Sequence, residues 1–344
     1  MRVVVLSTKV PFVHGGAEEL FDHLVRNLRA AGVDAEGFRL PFTWDPPERL
    51  IEEMLIARRL RLHNLDRVIA LKFPAYMVPW SDKVLWLLHQ YRQAYDLLDA
   101  GQSNLVADAR GAEILRAIRS ADNVAFSEAR QIFTNAPITA GRLKFYNDVD
   151  SSVLRPPLND PELFSKVGDD GYVLATGRVN ASKRQHLLVR ALRYAPKAHL
   201  VIAGPPDTPA DAEMLHRLTE EEGATDRVRL DLRFLPRSEL AGLVNRARAV
   251  AYLPFDEDSL GYCTMEAFQA RKPVLTTTDS GGVLDIVRHR DTGLVVRPDV
   301  EPLGEAMASL VGDPKLAGDL GQRGGEALDR ERLNWPATIE RLLS

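Results

Sequence analysis

The 344-residue chain reads as an α/β protein built from two doubly wound, Rossmann-like domains with a cleft between them. Three observations predict this. Short β-branched runs alternate with amphipathic helical stretches along the whole length, the pattern of parallel strands joined by crossover helices. The succession strand, glycine loop, helix appears at residues 2–31 and again at residues 172–192. Between the halves, Arg155-Pro156-Pro157-Leu158 makes a stiff hinge, because consecutive prolines fix φ.

Composition narrows the function classes. Hydrophobic residues make up 45% of the chain and charged residues 27%, so each half can bury its own core. A net charge of −4 argues against a general attraction to nucleic acid. Cys263 is the single cysteine, which excludes an intrachain disulfide and any multi-cysteine metal site and suits a reducing compartment. No apolar run approaches the ~18 residues of a membrane span. Residues 1–6 enter a strand at once, so no signal peptide is expected. A cytoplasmic protein is expected, with at most peripheral membrane contact.

In the first half, residues 2–6 form a buried strand that leads through His14-Gly15-Gly16-Ala17-Glu18 into a helix. Leu20, Phe21, Leu24, Leu28 and Ala31 recur at helical spacing, and Gly32 caps the end. Gly15 and Gly16 let backbone approach a ligand, but no dinucleotide G-x-G-x-x-G follows any strand, which counts against NAD or FAD. A strand is expected over 33–40 and a helix over 48–62 whose arginines make a solvated face. Strands follow at 68–71 and 84–88. The latter delivers His89 at its carboxyl end, where parallel sheets bind ligands. A helix over 107–118, a strand within 123–133 and a helix over 137–145 complete this half.

In the second half, the strand at 172–176 runs into Gly177-Arg178-Val179-Asn180-Ala181-Ser182-Lys183-Arg184 and then a helix. Arg178 and Lys183, five positions apart at a helix start, can clamp a diphosphate and neutralise charge that grows as it leaves. Strands at 199–203 and 228–230 follow, with helices over 212–222 and from about Ser238. The strand at 250–253 ends at Pro254 and opens the central stretch, Asp256 to Phe268. There Asp258 and Glu266, eight positions apart, bracket the Gly261 turn and a helix beginning near Thr264. Free N–H groups at such a helix end suit a phosphate, and the acids suit sugar hydroxyls. A strand, the turn Asp279-Ser280-Gly281-Gly282, a helix over 283–288, a strand at 293–296 and two helices divided by Asp313-Pro314 precede a last helix.

Four of these stretches, in order, resemble the family 4 glycosyltransferases, retaining enzymes of the two-domain GT-B fold. They are Gly15-Gly16-Ala17-Glu18, Gly177-Arg178 with Lys183, the pair Asp258 and Glu266 with Ala267 and Lys272-Pro273-Val274, and Asp279-Ser280-Gly281-Gly282. The resemblance implies an N-terminal acceptor-binding domain over 1–157 and a C-terminal nucleotide-sugar-binding domain over 158–326. It also implies a terminal helix, 327–344, that crosses back to the first domain.

By the same resemblance, Arg178 and Lys183 contact the donor diphosphate and Glu266 accepts hydrogen bonds from the ribose. Gly261, Tyr262, Cys263 and Thr264 supply backbone donors, and the base lies against Phe234 and Leu235. Gly15 and Gly16 close on the phosphate and sugar, and His89 faces the reacting sugar. Asp258 binds sugar hydroxyls. The family commonly has Glu there, so either Asp258 or its neighbour Glu257 fills the first acidic position.

The implied function is transfer of a sugar from a UDP- or GDP-sugar to an acceptor hydroxyl, by front-face substitution. The acceptor would be a sugar, lipid-linked or small molecule. No Asp-x-Asp metal motif follows a strand and two cations already serve a metal's purpose, so neither metal nor other cofactor is expected. The alternatives are a GT-B nucleotide-sugar epimerase and a non-catalytic nucleotide-sugar-binding subunit.

Overall fold

The computed structural model describes residues 1–12, 14–105 and 107–344. They divide into two units, Met1–Pro157 with Asn334–Ser344, and Leu158–Leu333.

The first unit runs β1 (Arg2–Lys9), α1 (Gly16–Ala30), β2 (Asp34–Pro41), α2 (Leu50–Arg59), β3 (Arg67–Ala70), β4 (Lys83–Leu87), α3 (Asp96–Asp99), α4 (Ala109–Ser127), β5 (Gln131–Thr134), α5 (Pro137–Asn147) and β6 (Ser152–Val153). Its strands lie in the order β2-β1-β3-β4-β5-β6 and pair in parallel. β3 and β4 are buried at every position, as central strands covered on both faces must be. The helix expected over 48–62 is shorter, ending at Arg59, because Leu60 turns to extended geometry. The strand expected within 123–133 is confined to β5. α4 continues instead through Ser127, since Ile114, Ile118, Asp122, Ala125 and Phe126 keep one buried face at helical spacing.

The second unit runs β7 (Val173–Thr176), α6 (Gln185–Ala191), β8 (Leu200–Ala203), α7 (Pro209–Glu221), β9 (Val228–Asp231), α8 (Arg237–Arg246), β10 (Ala249–Ala251), α9 (Tyr262–Gln269), β11 (Val274–Thr277), β12 (Gly293–Val296), α10 (Val300–Gly312) and α11 (Pro314–Glu331). Its parallel sheet has the order β9-β8-β7-β10-β11-β12, the 3-2-1-4-5-6 order of the Rossmann fold. The helix expected over 283–288 is a short 3₁₀ turn, Gly281–Asp285. Asp313 divides α10 from α11: its carboxylate accepts the Leu316 N–H at 2.9 Å, and Pro314 needs no partner at the first helical position.

The last helix, α12 (Trp335–Leu343), belongs to the first unit. Asn334 caps it, and Trp335, Ile339 and Leu342 join the core formed by Leu20, Leu24, Trp86 and Phe133. The Trp335 ring stands edge-on to Trp86 at 6.3 Å. The chain changes units at Asn334 rather than at 327, because Leu328 of α11 is still buried in the second unit's core. Burying such large side chains contributes roughly 1.5–3 kcal/mol each.

Candidate functional site

In a sheet of Rossmann order, the crevice lies at the carboxyl ends of the two strands where the order reverses, here β7 and β10. The expected clamp is in that place. β7 leads into Arg178 and Lys183, and β10 leads into Tyr252 and the acidic stretch. Both cations are matched by acids of their own unit. Arg178 Nη1 lies 3.1 Å from each carboxylate oxygen of Asp207, which also accepts from Asn180 Nδ2 at 2.9 Å. Lys183 Nζ donates to Tyr252 Oη at 3.0 Å and to Glu257, and Tyr252 Oη donates to Glu257 Oε2 at 2.6 Å.

The loops are held by close contacts that allow no Cβ at two glycines. Gly281 has φ +61°, and a Cβ there would lie 2.4 Å from Glu257 O. Gly261 has φ +74°, and its Cβ would meet the Tyr252 ring at 2.5 Å. Gly282 N donates to Glu257 O at 2.8 Å and Asp256 N to Asp279 O at 2.8 Å, so the Asp279-Ser280-Gly281-Gly282 turn is stitched to the acidic loop. Arg184 completes the frame. Its guanidinium donates to both oxygens of Asp279, to Thr277 Oγ1 and to the carbonyls of Leu253 and Pro254. Burial works to raise the Asp279 pKa, but the Arg184 and Thr277 hydrogen bonds and the Arg184 charge outweigh it and hold the carboxyl below the usual range.

α9 starts at Tyr262, two residues earlier than the sequence predicts, so the Thr264 N–H is already spent on Gly261 O at 3.1 Å. The Thr264 side chain is fully buried and its Oγ1 has no protein hydrogen-bond partner; Thr176 Oγ1 at the end of β7 is in the same position. Cys263 lies beside them, its Sγ 3.5 Å from Thr176 O. Burial pushes its thiol up to about 12, so it stays protonated at neutral pH. Buried hydroxyls without partners are costly and mark a place where a polar ligand would be stabilising.

Glu266 is 2% exposed and is ion-paired through Oε1 to Arg237 at the start of α8. Arg237 also donates to Asn159 O at 2.9 Å and lies over the Phe164 ring at 4.8 Å. A carboxylate has about four acceptor positions, of which the Arg237 bond uses one. A helix start near Ser238, as the sequence predicts, hides this partner, because α8 begins one residue earlier at Arg237. Asp258 is 8% exposed, and Glu257 beside it meets Lys183. Phe234 and Leu235 part company: Leu235 packs on the core and Phe234 is 59% exposed.

The first unit carries the remaining expected residues. Gly16 begins α1, and Gly15 N donates to Glu18 Oε2 at 3.0 Å, the half of a capping box that a glycine N-cap can make. Lys72, just beyond β3, donates to Glu18 Oε1 at 2.9 Å. Burial opposes ionisation of Glu18, but the Lys72 charge and hydrogen bond bring its pKa below the usual value. β1 and β3 are the strands where this sheet's order reverses, so this pair stands at its switch point. His89 follows β4 with Nδ1 2.7 Å from Gln90 O. Among the described residues, no group of three or more His, Cys, Asp or Glu could hold a metal ion, and no helix is long and apolar enough to cross a membrane.

Residues 160–327 match the family described as glycosyl transferases group 1. A D-inositol 3-phosphate glycosyltransferase of Mycolicibacterium paratuberculosis (strain ATCC BAA-968 / K-10) is 32% identical over 182 residues, which cover 51% of this chain and 40% of that protein. The chain spans 38% to 63% of the length of this and three further relatives of the same description. Sucrose-phosphate synthase from Thermosynechococcus elongatus shares the fold with a TM-score of 0.79 at 19% identity, over 99% of this chain and 97% of that one. HepE of Anabaena, solved in complex with UDP and glucose, has a TM-score of 0.73 at 16% identity, over 100% and 98% of the two chains. Residues 160–327 thus resemble the group 1 glycosyl transferases, and the two Rossmann-like units share the GT-B fold of these solved enzymes.

Proposed function

We propose that the chain is a retaining glycosyltransferase that moves a sugar from a nucleotide-diphosphate donor to an acceptor hydroxyl. The observation that carries this reading is the pair Arg178 and Lys183 at the β7/β10 switch point, beside the buried start of α9. Two cations there meet the demand of a departing diphosphate without a metal. Glu266, paired with Arg237, takes the ribose hydroxyls, and Asp258 takes hydroxyls of the transferred sugar. Tyr262 and Cys263 supply backbone donors, and Thr176 and Thr264 offer hydroxyls to the same ligand. Phe234 and Leu235 border the base. His89, Gly15 and Gly16 serve the reacting sugar from the first unit, and the protein works in the cytoplasm.

The reaction is front-face substitution. The bond from the anomeric carbon to the donor phosphate oxygen breaks, and the acceptor oxygen bonds to the same face of that carbon. The acceptor proton passes to the departing phosphate oxygen, whose charge Arg178 and Lys183 stabilise. Cys263, held as a thiol, offers no competing nucleophile.

A thermal-shift screen against UDP-, GDP- and ADP-sugars tests the reading, with UDP-sugars first because HepE is described with UDP. A true donor at 100 times its dissociation constant stabilises by about 2.7 kcal/mol. Product analysis with and without acceptor follows: an isomeric donor identifies an epimerase, and a bound but unconsumed donor identifies a non-catalytic subunit. No shift with any donor sinks the proposal.

A further inference from the structure

Neither cation of the clamp is ready for a diphosphate as the chain folds. Arg178 is taken by Asp207, and Lys183 by Glu257 with Tyr252. The two pairs are built differently. Arg178 and Asp207 are each about a third exposed, at 37% and 31%, so water and salt weaken their attraction and it yields easily. Lys183 and Glu257 are 22% and 20% exposed, and a third group closes the triangle. Tyr252 accepts from Lys183 and donates to Glu257, and the ammonium also lies 5.1 Å from the centre of its ring.

Each corner of that triangle is fixed from behind. Tyr252 is 7% exposed, its carbonyl accepts from Thr276 Oγ1 at 2.7 Å, and Gly261 lies against its ring. The Glu257 backbone is pressed by Gly281 and bonded by Gly282 N. The Lys183 N–H is held by Asn180, whose Oδ1 accepts it at 3.0 Å. An acidic side chain set this firmly against a cation is a built counter-charge rather than a chance surface pair.

We propose that Glu257, positioned by Tyr252, is the resident counter-anion of Lys183, and that the phosphates of a nucleoside diphosphate take its place on binding. This rests on the donor reading of Arg178 and Lys183 and extends it to Tyr252, outside the expected motif, and to Glu257, there only an alternative acid. The exchange makes binding depend on ligand charge. A ligand with one negative charge only replaces the charge it displaces, whereas a diphosphate brings more than it removes. Each diphosphate bound carries the cost of opening the Lys183–Glu257 pair, so its measured affinity is lowered by the fraction of molecules in which the pair is closed.

The test is calorimetric titration of wild-type protein, Glu257→Gln and Asp207→Asn with UDP, GDP and ADP, alongside melting of each protein without ligand. Gln keeps the shape and the hydrogen bonding to Tyr252 but removes the competing charge. The expected result is a diphosphate dissociation constant about tenfold lower in Glu257→Gln, the size of a charged hydrogen bond exchanged for a neutral one. Its unliganded melting temperature should fall at the same time. Asp207→Asn should tighten binding less, by about twofold, as suits an exposed pair. A merely structural role for Glu257 cannot move the two readings in opposite directions, since a damaged loop weakens both.

If Glu257→Gln does not fold, Tyr252→Phe keeps the ring beneath Gly261 and removes the hydroxyl that holds Glu257; it should tighten binding by about threefold. Unchanged or weaker diphosphate binding in the folded variants, with wild-type binding intact, overturns this proposal alone. Wild-type protein that binds none of the three nucleotides overturns the donor reading and this proposal together.

Discussion

Arg184 donates to both carboxylate oxygens of Asp279, at 2.8 and 2.9 Å, and so joins the loop after β7 to the turn after β11. The two residues are 95 positions apart in sequence. Because the same guanidinium also reaches Leu253 O and Pro254 O, one side chain sets three strand ends around the clamp. Arg184→Ala should cost about 2 kcal/mol in urea unfolding, less than a fully buried pair because Asp279 is a third exposed. The pH sign follows from the lowered Asp279 pKa. Its stabilisation is complete above the unfolded carboxyl value and is lost as pH falls through the lower folded value, so wild-type protein should lose this part in acid and Arg184→Ala should not.

Replacing Arg178 and Lys183 together by Ala should abolish the thermal shift given by a nucleotide-sugar and lower turnover by at least about a thousandfold. Melting without ligand tells a lost function from a lost fold. Near-normal turnover in the double variant would remove the clamp from the mechanism.

Glu266 and Arg237 should separate function from stability. Glu266→Gln keeps the shape and should weaken donor binding about tenfold with little unfolding. Arg237→Ala leaves Glu266 buried without its counter-charge and should cost about 3 kcal/mol in urea unfolding. Equal effects of the two changes on donor affinity, with no difference in stability, would contradict a positioning role for Arg237.

Asp258→Glu tests whether the loop is fitted to the shorter acid. Asp258 is 8% exposed, so an extra methylene must push its neighbours, at a cost of about 1–3 kcal/mol. Activity should fall while donor-induced stabilisation remains measurable. Higher activity in this variant would show that the longer acid suits the site better.

In the first unit, Asp122 is fully buried and accepts from Tyr76 Oη and Tyr95 Oη, each at 2.8 Å. Burial raises its pKa to about 7, against the opposing pull of the two hydroxyls. An acid whose folded pKa exceeds its unfolded value near 3.8 stabilises fully below that value. The contribution is lost as pH rises towards 7. Urea midpoints of wild-type protein should therefore decline between about pH 4 and 7 from this group, and Asp122→Asn should flatten that decline.

Much of the fold was legible because its signals are local. Buried parallel strands need unbroken β-branched runs, and helices need one apolar face, so 293–296 and the Asp313-Pro314 break could be read in place. The differences fell where a local pattern met a tertiary demand. The helix expected to end at 118 continues to Ser127 because Asp122, Ala125 and Phe126 continue the buried face of α4. The turn at Gly281 was too constrained to open a full helix, since its backbone lies against Glu257.

By itself, the sequence determined the α/β class, the boundary at the paired prolines, and the acids, cations and glycines of the central loops. Those follow from residue type and spacing, which the chain carries along its length. Only the tertiary structure decided what each charge faces: Arg178 meets Asp207, Lys183 meets Glu257 and Tyr252, Glu266 meets Arg237, and Arg184 meets Asp279. Their partners are 29 to 95 positions away. Separations of that size are bridged by strand order and loop packing, and no spacing rule in one dimension encodes them.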